Sequence, residues 1–282
     1  MTTIDPEPGA IRNMAVYCDF ENIALGARDA KYAKFNVDKV LERLLLKGNI
    51  VVRKAYCDWE RYKTFKKPMH EAAFELIEIP HVRQSGKNSA DIRMVVDALD
   101  LCYTKNHVSI FVIISGDSDF SPLVSKLREN NKLVIGVGVK NSTSDLFISN
   151  CDEFIFYDDL VDKRKPARKQ AKKSASKSSA NSKSKSKEKE SRSAARGGSS
   201  SEDEIIDFLI TTFEDLVGDR EGDSDIWGSM LKQAMKRRRP SFNESHYGFR
   251  SFNKLLEEAR DRGLVHLASD DKSGGYRVRP VS

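Results

Sequence analysis

Ile110-Phe111-Val112-Ile113-Ile114-Ser115-Gly116-Asp117-Ser118-Asp119-Phe120 is an unbroken apolar run that empties into a short acidic turn. Successive side chains of a strand point to opposite faces, so a run with no polar alternation reads as a strand covered on both sides. Such strands belong to parallel sheets flanked by helices. Residues 110–115 are therefore expected to form a central strand. The acids that follow it fall where open α/β sheets collect ligands, at the carboxyl ends of their strands.

The same grammar recurs along the first 160 residues. Residues 14–18 form an apolar run that ends in Cys18-Asp19-Phe20-Glu21-Asn22, and further strands are expected over 50–56, 76–82, 133–139 and 153–157. Helical spacing lies between them. Val37, Val40, Leu41, Leu44 and Leu45 follow an i, i+3, i+4, i+7, i+8 pattern, Ile92, Val95, Val96 and Leu99 form the apolar face of a second such helix, and 120–130 is a shorter third helix. The alternation implies a Rossmann-like α/β domain with a central, mainly parallel sheet.

Charge divides the chain. Of its 282 residues, 48 are Lys or Arg and 42 Asp or Glu, a net charge of +6, but residues 163–200 alone hold 14 basic against 2 acidic side chains. That segment has no aromatic or large aliphatic residue with which to offset chain entropy, so it is expected to be a disordered basic linker. It is either attractive to polyanions or a soluble tether. Beyond it, helices are expected over 202–217, 226–235 and 249–262, the last closed by a left-handed Gly263. Two β-like runs, 264–267 and 276–278, complete what reads as a small winged helix-turn-helix domain.

No apolar stretch approaches the ~20 residues of a bilayer crossing, so no membrane role is expected. Residues 1–12 lack a basic segment followed by an apolar one, which points to a cytoplasmic protein. Cys18, Cys57, Cys102 and Cys151 have neither CxxC nor His-paired spacing, and are expected to be reduced core residues rather than zinc ligands or disulfides.

The candidate chemistry lies in the acids. Asp19 and the Asp117/Asp119 pair end two strands, and Asp91 opens the expected helix after the polar turn 84–90. Convergent carboxylates repel one another unless protonated or bridged by a hard cation, and Mg2+ or Mn2+ prefers such oxygen ligands. A bound divalent ion that activates water and neutralises phosphate charge makes phosphodiester hydrolysis the natural reaction. Plainer roles exist for each: an Asx turn for Asp19 or Asn22, a dipole-favoured position for Asp91, and helix capping for Asp117 and Asp119. Asp97 is read as either an outer metal contact or a solvated helix position.

Substrate handles are also present. Arg53, Lys54, Arg61, Lys63, Lys66 and Lys67 interleave with Tyr56, Trp59, Tyr62 and Phe65, a mixture that suits phosphates and unpaired bases, although core packing would use the aromatics equally well. Lys87 lies close in sequence to Asp91. Lys236, Arg237, Arg238 and Arg239 end a helix, where they would meet RNA or complement the helix dipole.

Taken together, Val16-Tyr17-Cys18-Asp19-Phe20-Glu21-Asn22, Lys87-Asn88-Ser89-Ala90-Asp91 with Asp97, Ser115-Gly116-Asp117-Ser118-Asp119-Phe120 and Cys151-Asp152-Glu153-Phe154 resemble the NYN domain of the PIN-like nuclease superfamily, over residues 13–160. Tyr247-Gly248-Phe249-Arg250-Ser251-Phe252 with Leu255-Leu256-Glu257 resembles the LOTUS, or OST-HTH, domain over 201–280. These resemblances imply a metal-dependent ribonuclease. Asp19, Asp91, Asp117 and Asp119 would hold Mg2+ or Mn2+ and activate water, with Asn22 in the catalytic group and Asp97 a second helix aspartate of the metal set. RNA would be the partner, held by Lys87 and the Lys236–Arg239 run, and the winged helix would also bind a protein in some members. The alternative is a noncatalytic RNA-binding adaptor. A nucleotide hydrolase is disfavoured by the lack of a GxxxxGK[ST] phosphate loop.

Overall fold

The computed structural model describes residues 12–32, 34–79, 88–161, 201–218, 225–270 and 275–281; the expected linker 163–200 and Lys87 lie outside the described residues. Six strands, β1 (Asn13–Asp19), β2 (Asn49–Cys57), β3 (Glu75–Glu78), β4 (Val108–Ile114), β5 (Leu133–Gly138) and β6 (Glu153–Phe156), pair in parallel in the order β3-β2-β1-β4-β5-β6. Seven helices connect or follow them: α1 (Phe20–Asp29), α2 (Val37–Leu45), α3 (Lys63–Glu71), α4 (Ser89–Thr104), α5 (Ser121–Glu129), α6 (Asp145–Asn150) and α7 (Tyr157–Val161).

Strand periodicity sends alternate residues of β1 and β4 to opposite faces. Met14, Val16, Cys18, Val112 and Ile114 join Phe20, Val40, Leu44 and Met69 in one core. Ala15, Tyr17, Phe111 and Ile113 join Met94, Ala98, Leu123 and Phe147 in the other. All four cysteines are free and buried, as their spacing implied.

Helix α4 corrects one expectation. Met94, Ala98 and Cys102 are its buried residues, and Val95 and Leu99 of the expected stripe are half-buried against the same core, while Ile92 and Val96 are 64% and 56% exposed. The helix is apolar around much of its circumference, so two stripes of helical spacing compete, and the one that meets Tyr17 and Phe111 is chosen by the sheet. Val96→Lys is accordingly expected to change stability by no more than about 0.5 kcal/mol, and Met94→Ala to lower it by about 2–5 kcal/mol. Urea melts of the two variants check the assignment; an equal loss in Val96→Lys would reverse it.

The carboxyl-terminal part has its own core, built from Ile206, Leu209, Phe213, Leu231, Leu255, Leu256 and Val278. Its elements are α8 (Ser201–Gly218), β7 (Ile226–Trp227), α9 (Gly228–Arg238), a 3-10 turn over Glu244–Tyr247, α10 (Phe252–Asp261), β8 (Val265–Asp270) and β9 (Gly275–Pro280), with an antiparallel sheet in the order β7-β9-β8. Residues 226–227 are strand rather than helix, because they pair with Val278 and Arg277 and the Arg277 guanidinium lies 4.5 Å from the Trp227 ring. Helix α10 begins only after Ser251, whose hydroxyl accepts from the Lys254 amide, and Gly263 takes the left-handed conformation expected of it (φ +74°).

This part meets the six-stranded sheet at β6. The Phe154 amide donates to the Pro240 carbonyl at 3.0 Å, Glu153 is clamped between Lys47 (2.7 Å) and Lys236 (3.2 Å), and His246 Nε2 lies 2.6 Å from Asp159. A cavity of about 470 Å3, lined by Lys39, Leu46, Phe154, Lys232 and Phe242 among others, separates the two layers. Among the described residues no helix is long and apolar enough to cross a membrane.

Candidate functional site

The strand order reverses direction at the middle of the sheet. Chain leaving β1 crosses to one side and chain leaving β4 to the other, which opens a crevice between their carboxyl ends. Cys18 lies in register with Ile114, so Asp19 and Ser115 are the next residues on adjacent strands. The Ser115 hydroxyl donates to Asp19 Oδ2 at 3.0 Å, and the Asn22 amide donates to Asp19 Oδ1 at 3.3 Å, making Asp19 the N-cap of α1. Asn22 in turn accepts from the Gly116 amide at 2.9 Å. Two side chains thus tie the end of β1 to the turn after β4.

The turn itself is self-capped. The Asp117 amide donates to Ser115 Oγ at 3.2 Å, and Asp117 Oδ1 accepts from the Asp119 amide at 3.0 Å. Capping is a real role of both Asp19 and Asp117, and it leaves lone pairs on each carboxylate. The residue at 116 must be glycine, since a Cβ there would lie 2.4 Å from the Ser142 carbonyl oxygen. The β5–α6 loop presses equally on Gly26 and Gly138, whose added Cβ atoms would lie 2.3 Å from Ser142 Oγ and Thr143 Oγ1. Sequence reading did not anticipate that this loop walls the crevice; the only trace of it is the glycine at each contact.

Electrostatics shows which acids meet. Asp19 is 8% exposed, and burial first, then the charge of Asp91, push its carboxyl up to about 7, with Asp117 adding to the rise and the Ser115 and Asn22 bonds opposing it. Asp91, in the first turn of α4, is raised to about 6 by burial and then by Asp117, Asp119 and Glu21. Asp19 thus feels Asp91 and Asp117, and Asp91 feels Asp117 and Asp119, so acids from three chain segments lie within electrostatic reach of one another. Among the described residues no three His, Cys, Asp or Glu side chains stand in a ready-made ligating arrangement. The donor set fits a hard, oxygen-seeking cation by chemistry and by unrelieved negative charge, rather than as a closed cage.

Asp97 does not join them. Its carboxylate accepts from Tyr56 Oη at 2.8 Å and pairs with Arg93 at 3.0 Å and Lys54 at 3.4 Å. Burial raises its proton affinity, but the Tyr56 bond and the two cations outweigh burial and hold the carboxyl below its ordinary value. A carboxylate neutralised this way is a clamp between α4 and β2, so the metal role expected of Asp97 is withdrawn.

The expected RNA contacts fare unevenly. Lys236 pairs with Glu153, Arg238 with Asp215 at 2.7 Å, and Arg239 with Glu204 at 3.1 Å while stacking over Phe208; Arg237 is exposed. Acids of α8 and β6 lie within reach of this helix end, so the run is not the open basic patch its sequence suggested. In the 53–67 segment, Tyr56 and Trp59 are buried, and Trp59, Tyr62 and Phe65 surround Phe20 at ring distances of 4.9, 5.5 and 5.0 Å. Tyr56 and Trp59 are core, and the half-buried Tyr62 and Phe65 pack against it. Arg61 alone of that segment points its charge at the crevice rim, through Glu21 at 3.0 Å.

The family model of the NYN domain matches residues 13–158. Among solved structures, a protein of unknown function from Vibrio parahaemolyticus RIMD 2210633 is 25% identical, with 55% of this chain and 98% of that chain covered and a TM-score of 0.49. No curated protein matches the chain.

Proposed function

The chain belongs to the NYN-domain family, a branch of the PIN-like nucleases, and from that premise we propose that its crevice hydrolyses RNA phosphodiester bonds with Mg2+ or Mn2+. Asp19, Asp91, Asp117 and Asp119 would hold the cation. When bound, it supplies an acidified water and positive charge against the phosphate. The observation that most supports this is the joining of the two strand ends, where Ser115 holds the Asp19 carboxylate at 3.0 Å and Asn22 holds the acidic turn at 2.9 Å, with Asp19 and Asp91 both pushed up by burial and by acidic neighbours.

The remaining roles follow from the hydrogen bonds. Ser115 and the Asn22 amide fix the orientation of the Asp19 carboxylate, and Asn22 Oδ1 anchors the turn that carries Asp117 and Asp119. That leaves the Asn22 Nδ2 group to donate toward a phosphate oxygen. The 140–144 loop, whose Ser142 and Thr143 press on Gly116 and Gly138, would wall one side of the path taken by the RNA.

In the same reading, residues 13–160 are the nuclease domain, 163–200 a basic tether that gathers RNA, and 201–280 a winged helix of the LOTUS, or OST-HTH, type. Its helix–strand–helix–helix–hairpin order supports that identification. The Arg238 and Arg239 pairs are exposed and individually weak, so phosphate can replace their carboxylate partners; a protein partner for this module is a further possibility for the same surface. The four free, buried cysteines fit a reducing, cytoplasmic setting.

Labelled single-stranded and structured RNAs, incubated with the full chain and Mg2+, Mn2+ or EDTA, test the proposal beside an Asp117→Asn/Asp119→Asn variant. Cleavage is expected with either metal and is expected to vanish with EDTA and in the variant. Cleavage that persists in the variant overturns the assignment, and binding without cleavage under every metal replaces it with the adaptor reading.

A further inference from the structure

Five acids surround the crevice, counting Glu21, and a polyanion approaching them needs a cation on the rim. The β2–α3 turn supplies one. Because β2 runs parallel beside β1, with Tyr56 in register with Asp19, the turn that follows leaves the sheet at the same end as the acids. Its backbone is held in place. The Trp59 amide donates to Glu78 Oε1 at 2.9 Å, the indole donates to the Ile77 carbonyl at 3.2 Å, and the Arg61 amide donates to the Asp58 carbonyl at 3.1 Å. Trp59 and Tyr62, on either side of Arg61, both pack on Phe20, the residue next to Asp19.

The other cations of this segment face elsewhere: Arg53 toward the Ala72 carbonyl, Lys54 toward Asp97, Lys63 and Lys66 toward Glu60, and Lys67 toward Glu71. Arg61 instead pairs with Glu21, two residues beyond Asp19, whose charge is felt at Asp91. The pair is open to solvent, with side chains 51% and 37% exposed. Such a pair holds a guanidinium in position without binding it strongly.

We propose that Arg61 is the phosphate-binding residue of the substrate groove, parked on Glu21 in the free protein and transferred to an RNA phosphate next to the scissile one when substrate enters. A guanidinium suits this because its planar fork takes two phosphate oxygens at once, with a geometry an ammonium lacks. Glu21 then acts as a competitor that the phosphate displaces. The inference rests on the ribonuclease reading for its substrate class, but its test does not depend on turnover.

Binding of a fluorescent single-stranded RNA oligonucleotide is measured over a salt series, in the full-length Asp117→Asn/Asp119→Asn background, for Arg61→Ala, Arg61→Lys and Glu21→Gln. Arg61→Ala is expected to weaken binding about tenfold and to lower the slope of log affinity against log salt by about one. Arg61→Lys keeps that slope but loses part of the affinity, and Glu21→Gln binds a few-fold more tightly. Unchanged affinity and slope in Arg61→Ala, or weaker binding in Glu21→Gln, overturns the proposal. Failure of the wild-type chain to cleave RNA leaves these binding results equally decisive.

Discussion

Asp19→Asn is expected to reduce RNA cleavage by about 10³-fold or more and, at the same time, to make the cation-free protein more stable above pH 7. The two effects share a cause. In the folded chain Asp19 keeps its proton up to about pH 7, against an ordinary value of 3.8, because burial and then Asp91 disfavour its charge. Between those values the native state binds more protons than the unfolded one, so stability falls as pH rises through that window. The penalty is absent below about pH 4 and complete above about pH 7. Asparagine never incurs it and still offers Ser115 an acceptor.

The variant should therefore melt higher than wild type at pH 8 with EDTA, by of the order of 2 kcal/mol or about 5 °C, and show no advantage at pH 4. Adding Mg2+ should raise the melting temperature of the wild type and leave the variant almost unmoved. Thermal melts over pH 4–8, with and without the cation, check all of this. Equal stability of the two proteins at pH 8 would mean that the buried carboxylate carries no electrostatic penalty, and the electrostatic support for a cation would be lost.

Phe20→Ala is expected to lower stability by about 3–5 kcal/mol. Phe20 is fully buried, and its ring is the centre on which Phe35, Trp59, Tyr62 and Phe65 converge at 4.9 to 6.1 Å. Removing it opens a cavity under α1, the β2–α3 turn and the first turn of α3 together, so neighbouring side chains cannot close over it. Chemical denaturation monitored by Trp59 fluorescence reads the loss. A change below 1 kcal/mol would show that these rings repack around the gap and that the aromatic cluster is not a structural centre.

That cluster also shows where the sequence is readable and where it is not. The strands are plain because apolar runs covered on both faces have few other uses, and Asp19, Ser115 and Asp117 are plain because a strand end dictates their place. Tyr56, Trp59, Tyr62 and Phe65 carry the same composition as a base-stacking surface, and only the fold turns them inward: Tyr56 is buried beside Tyr17 on one face of the sheet, while Trp59 is buried and Tyr62 and Phe65 are half-buried around Phe20 on the other. Likewise α4 offers two apolar stripes, and its choice of Met94, Ala98 and Cys102 is made by the sheet beneath it. Asp97 reads as one more acid near Asp91; Arg93 one helical turn before it is legible as a partner, but Tyr56 and Lys54, which complete its neutralisation, reach it only through the folded chain. Helix α3, with Pro68 inside it, and α1, hidden in the motif that begins at Asp19, gave no clear periodic signal.

The two margins of the six-stranded sheet are finished differently. At β3 the strand is only four residues long and carries Glu75 and Glu78 at its ends, charges that discourage a visiting strand. At β6 the apolar Phe154, Ile155 and Phe156 follow Glu153, and the Phe154 amide is covered by the Pro240 carbonyl from the far end of the chain. A fragment that stops after residue 162 therefore bares the Phe154 amide and the apolar residues beside it, and is expected to zip edge to edge with its own kind at high concentration, which would make the carboxyl-terminal module a built-in guard against precipitation.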